Sequence, residues 1–180
     1  MPKRSFASLI LVVLAVASYS AEMTIAPPSF LVADTSVKML MNDTLQPHAT
    51  ALWQAVRYTV TEAGVVEDVT PTSDDDWNRL RDSALRLIEG ANALLLPGRP
   101  IDLLPLAQDY PDWQYPPEEI QAMVAANPRG WLNYIQQMQQ STRSTLETIE
   151  RKDVQGLMDV GGQINNACQG CHAEFWYRPN

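Results

Sequence analysis

Cys168, Cys171 and His172 stand together as Cys-Gln-Gly-Cys-His near the end of a 180-residue chain, the spacing that attaches a c-type haem. Residues three apart on a helix share a face, so both thiols can form thioethers to the haem vinyl groups. His172, one turn beyond Cys168, turns its imidazole to the iron. Tether and proximal ligand therefore come from one short segment.

Other chemistries account for these residues less well. A structural zinc site normally needs four thiolate or imidazole ligands, and the chain has two cysteines, two histidines and no second metal-spaced cluster. A redox thiol pair belongs at a helix N-terminus after a strand, where the helix field depresses a thiol pKa, whereas this pair lies near a helix C-terminus. A plain disulfide would leave His172 without a role. The carboxylate pairs Asp75-Asp76 and Glu118-Glu119 fall at helix starts, where negative charge has a structural explanation. No catalytic constellation competes with the motif, and the chain is not expected to be an enzyme. Gly161-Gly162 lacks a phosphate-loop context and reads as packing room beside the haem pocket.

The elements that must carry the motif follow from periodicity. Nothing alternates with period two for long enough to suggest a sheet, and the expected fold class is all-α. A first helix starts at Asp34, Thr35 and Ser36 and runs to about Thr61, bent at Pro47. A second opens at Ser73 with Asp74, Asp75 and Asp76 and stops before Pro97-Gly98. Its seam is Trp77, Leu80, Ala84, Leu87, Ala91 and Leu94. Gly98 to Pro117, rich in proline and aromatic residues, reads as a long crossover. A short helical turn covers Glu118 to Ala126, Asn127-Pro128 caps a third long helix to about Arg151, and Asp153 starts the fourth, which runs to about Trp176. Leu157, Gly161, Ile164, Cys168, Cys171 and Phe175 follow at helical spacing, placing both thiols on the buried seam. These elements describe an antiparallel four-helix bundle with a long Pro-rich crossover between helices 2 and 3.

In such a bundle the first and fourth helices are antiparallel neighbours. Levelling Ser36 with Trp176, at ~1.5 Å per residue, brings His172 level with position 40. Met41 is then the nearest soft ligand, on the inward face with Val37, Thr44, Leu45 and His48. Met39 shares its side with Asp43, Gln46 and Thr50 and faces out. Ligation by Met41 would complete the iron and raise its potential relative to a bis-His site. His48 lies about 10 Å deeper and reads as a core polar group needing a hydrogen-bond partner.

The start of the chain has the pattern of a secretory leader: Lys3 and Arg4, an apolar run from Leu9 to Ala17, then small residues, with cleavage suiting Ala17 or Ser20. Residues 1–20 are expected to be a signal peptide and 21–180 the haem domain, exported to the periplasm, where haem attachment to reduced thiols takes place. Membrane association is expected only through an uncleaved leader. Losing Lys3 and Arg4 takes the formal charge from −8 to about −10, which excludes nucleic acid as a partner and fits a redox partner with a basic docking patch.

The chain resembles class II cytochromes c, the cytochrome c prime group and its Met-ligated low-spin branch. The match rests on the haem motif in the last helix, the segment Val37-Lys38-Met39-Leu40-Met41 on the first and Asp153 before the fourth, and it covers about Ala33 to Arg178. The resemblance implies one covalent haem c held by Cys168 and Cys171, His172 as proximal ligand, Met41 as distal ligand and an electron-carrying role. It also implies an alternative, a high-spin protein binding NO or CO at an open distal site, and a possible homodimer. High-spin members usually carry a basic residue soon after the histidine, whereas this chain has Ala173-Glu174-Phe175-Trp176-Tyr177 there. A haem-free helical interaction module is the third reading.

Overall fold

The computed structural model describes residues 33–103 and 110–179. The expected signal peptide and the middle of the crossover lie outside them.

Among the described residues the chain is mostly helical, and its start departs from a regular helix. Ser36 opens the first segment by accepting a hydrogen bond from the Met39 amide at 3.1 Å. Helix α1 (Val37–Leu40), a π-helical turn (Met41–Leu45) and helix α2 (Gln46–Trp53) then run on continuously. Pro47 explains the widened turn: it lacks an N–H, and its ring would crowd the Asp43 carbonyl in a regular α-helix. The Gln46 amide instead reaches back to Met41, five residues earlier, so the proline is taken up without ending the helix.

The expectations of a helix to Thr61 and of no sheet are both corrected. α2 stops at Trp53, and β1 (Arg57–Val60) pairs antiparallel with β2 (Val66–Val69), Arg57 opposite Val69 and Val60 opposite Val66. Tyr58, Thr59, Val60, Val66 and Val69 are residue types that favour the pleated conformation, and Gly64 supplies the left-handed turn at φ 76°. Each strand has four residues, too few to show as an alternating pattern.

The remaining helices begin and end close to where their sequence signals stand. Ser73 and Asp76 form a reciprocal capping box on α3 (Asp74–Ala93). The expected seam of α3, from Trp77 to Ala91, is buried, and Leu94 continues it. After α4 (Pro117–Ala126), the Asn127 side chain accepts from the Gly130 amide and starts α5 (Pro128–Glu150). Asp153 does the same from Gly156 for α6 (Val154–Phe175). The core-facing side of α5 carries Ser141, Thr142 and Thr145, whose hydroxyls donate to carbonyls of the preceding turn and are thereby satisfied.

α3 packs against α2 and α5, and α5 against α6, whereas α2 meets α6 only lightly. The crossover holds that loosely closed side at both ends. Its first residues cap α1: the Val37 and Lys38 amides donate to the Pro100 and Ile101 carbonyls, and Lys38 pairs with Asp102 at 2.7 Å. Buried Arg99 donates to the Thr35 carbonyl at 2.6 Å. Its last residues grip the end of α6, with the Tyr115 amide donating to the Trp176 carbonyl, the Arg178 amide to that of Trp113, and Gln114 bridging Tyr177. No helix among the described residues is long and apolar enough to cross a membrane.

The α3 cap gives a test. Asp76 is held at about 2 by hydrogen bonds from the Ser73 side chain and backbone and from Thr72. A carboxylate whose folded pKa is depressed stabilises above its unfolded value, about 3.9, and that contribution fades as pH falls through about 2. Ser73→Ala should cost about 1 kcal/mol in urea denaturation at pH 7 and flatten the loss of stability between about pH 4 and pH 2.

Candidate functional site

On the lightly closed side, between the first segment and α6, lies a narrow slot with a cavity volume of about 40 Å³, open to solvent at its mouth. Met41, Leu45, Ala49 and Trp53 line it from the first segment, and Ala167, Cys168, Cys171 and His172 from α6. α3 and α5 complete the lining with Leu87, Ile135, Met138 and the ring of Tyr134, among others. The structure thus brings Met41, Cys168, Cys171 and His172 to one cavity.

Other sequence-derived placements separate. Met39 is 40% exposed and does not line the slot. His48 turns toward α3, where its Nδ1 lies 3.4 Å from the Ser83 hydroxyl. Gly161 and Gly162 do not reach the slot, and a Cβ added at either would meet nothing within 4 Å. The idea that they make packing room beside a haem pocket is therefore corrected: they lie about two turns before Cys168, facing open space. The glycine that matters is Gly170. A Cβ there would stand 2.7 Å from Cε1 of Tyr134, so its absence lets the ring lie against the motif.

Burial sets the electrostatics of the slot. The Cys168 thiol is pushed up to about 11 by desolvation. Cys171 rises to about 12, again chiefly by desolvation, with negative charge on Cys168 and Glu174 adding to it. Both sulfurs are neutral at neutral pH, unlike the thiolate of a redox pair. Burial also lowers the His172 pKa, keeping the imidazole neutral and able to act as a ligand. Its Nδ1 stands 3.4 Å from the Tyr177 hydroxyl, which leaves Nε2 as the uncommitted ring nitrogen.

Three participants escape sequence reasoning. Trp53 lines the slot with a buried Nε1 that has no hydrogen-bond partner. Tyr134 is held edge-on to Phe175, their centroids 6.3 Å apart. Tyr177 reaches back from beyond α6 to the histidine. Tyr134 falls at helical spacing from Ile135's neighbours without any chemical signal of its own, and Tyr177 depends on the crossover bridge, which joins residues distant in sequence. Among the described residues, no group of three or more His, Cys, Asp or Glu side chains is arranged to hold a metal ion.

No protein-family model, curated protein or solved structure matches this chain.

Two measurements probe the site. In protein purified without any cofactor, alkylation of Cys168 and Cys171 at pH 8 should be at least tenfold slower than that of a free cysteine, whose pKa is about 8.5, and should accelerate toward pH 11. Because the folded thiol pKa values are raised, stability is fully present below about pH 9 and falls as pH rises through the folded values near 11 and 12. Gly170→Ala should drive Tyr134 from its place and cost about 1–3 kcal/mol in denaturation.

Proposed function

We propose that the chain is an exported c-type cytochrome, an antiparallel four-helix bundle that carries electrons through one covalent haem c. The observation that carries this reading is the meeting of Cys168, Cys171, His172 and Met41 on the walls of one apolar slot. A porphyrin is flat and largely hydrophobic, which suits a slot lined mainly by hydrocarbon. Thioether sulfurs are neutral, which suits a place where burial holds both thiols neutral. Haem carboxylates would give the unpartnered Trp53 N–H an acceptor, relieving a buried donor whose isolation costs about 1–3 kcal/mol.

When bound, the haem supplies a one-electron iron couple; the protein supplies binding, orientation and exclusion of water. Cys168 and Cys171 would hold the ring through thioethers, and His172 would present Nε2, with a protonated Nδ1 then donating to the Tyr177 hydroxyl 3.4 Å away. Met41, which lines the same slot from the first segment, would offer its thioether to the iron in competition with a small gas. The buried lining residues Leu87, Ile135 and Met138 would keep water from the occupant. The mature chain's acidity favours encounter with a basic redox protein.

The decisive experiment is export in cells equipped for haem attachment, followed by mass and visible spectra. The expected result is a gain of roughly 600 Da and a six-coordinate low-spin spectrum with weak far-red Met-to-ferric-iron absorption. High-spin bands that shift with CO would turn the reading to gas binding, and an unmodified mass would end it. Met41→Ala should abolish the low-spin character, whereas Met39→Ala should leave it unchanged. Cys168→Ser with Cys171→Ser should melt at a lower temperature than the haem-loaded wild type, because packing of the slot walls against the ring is lost.

A further inference from the structure

Trp113 is 55% exposed, an unusual position for the largest apolar side chain, and it is not a loose surface residue. Its carbonyl accepts from the Arg178 amide at 2.9 Å, and its ring packs edge-on against Tyr177 with centroids 5.7 Å apart. Tyr177, itself 36% exposed, lies 5.6 Å by centroid from His172 and reaches its Nδ1. Two ring contacts thus join solvent to the imidazole that lines the slot. We propose that the Trp113–Tyr177 pair is the docking face for a basic redox protein, and that electrons pass between that partner and the iron by way of His172.

The proposal rests on the haem reading and adds where the partner sits. Electron tunnelling decays exponentially with distance, so a surface patch in contact with the ligand's own neighbour is a favourable exit. Aromatic side chains fixed by backbone hydrogen bonds also lose little freedom on binding, a property of residues that dominate interfaces.

Charge identifies the partner. Asp112 adjoins Trp113, and exposed Glu118 and Glu119 open α4, which follows directly from the crossover. Exposed Glu174 lies four residues before Arg178 in the chain. The neighbouring Arg178 is engaged with Glu119 at 3.5 Å and lies over the Tyr115 ring. An apolar pair with acidic neighbours fits an apolar patch rimmed by lysine and arginine. In the forward step one electron leaves ferrous iron, which becomes ferric, and reduces the partner's acceptor; no bond is made and no proton moves.

The test measures the second-order rate of electron exchange between the holoprotein and a lysine-rich class I cytochrome c used as the basic probe. Trp113→Ala should slow it at least tenfold at low ionic strength, with the Soret band, the reduction potential and the rate with hexacyanoferrate unchanged. Asp112→Lys combined with Glu118→Lys, at exposed carboxylates, should slow it comparably, and added salt should shrink that difference. Asp43→Lys, at an exposed carboxylate on the π-helical turn of the first segment, should leave the rate within twofold of wild type. Wild-type rates in the Trp113 and the Asp112–Glu118 variants, or an equal slowing by Asp43→Lys, would overturn the docking face and favour exchange through the slot mouth. Wild-type protein that gains no haem mass overturns the haem reading itself, and the docking face with it.

Discussion

Two helical segments that line an apolar gap are held by a third stretch of chain that fixes where each one ends. The crossover caps α1 through Pro100 and Ile101 and grips the residues after α6 through Trp113 and Tyr115. Because both grips are made by backbone groups, they hold the first segment and the end of α6 irrespective of what lies between them. The slot is thus a property of the framework, and its apolar walls make an occupant favourable on hydrophobic grounds before any bond to a metal is considered. In that sense the neutral thiols and the unpartnered Trp53 N–H are consequences of one constraint.

The π-helical turn is the second element on which the site depends. Met41 is its first residue, and the Met41 carbonyl accepts the five-residue bond that closes the turn. One additional residue in a turn rotates everything after it relative to everything before it, so Met41 and Trp53 share a wall that regular α-helical phase alone does not dictate. Gly90 on α3 makes room for the side chains of that turn: a Cβ there would meet Leu45 Cδ2 at 2.7 Å and Thr44 Cγ2 at 3.1 Å. Pro47 and Gly90 lie far apart in sequence, yet they solve the two halves of one packing problem.

Much of the helical layout was legible because its signals are local. Ser73 with Asp76, Asn127 with Pro128, and Asp153 each mark a helix start through bonds made within one turn, and the α3 seam follows from spacing alone. The hairpin was not legible, since four-residue strands contain too little alternation to outweigh the helical pattern preceding them. At the site, levelling two antiparallel helices was enough to bring Met41 into the same cavity as Cys168, Cys171 and His172. Spacing alone misplaced Gly161 and Gly162, where an added Cβ would meet nothing within 4 Å. Tyr134 and Tyr177 depend on tertiary placement, the first on the missing Cβ of Gly170 and the second on a bridge to Gln114.

The grip on the end of α6 has a consequence for how this region opens. It consists of a few backbone hydrogen bonds, one isolated bridge and ring contacts near the surface, none of them threaded through the helical core. Breaking them frees the tail and exposes the imidazole side of the slot while α3 and α5 remain folded around each other. Such a latch has its own opening equilibrium, governed by local unfolding and separate from the melting of the whole molecule. Access to the segment that carries Cys168, Cys171 and His172 is thereby uncoupled from the stability of the body that carries it.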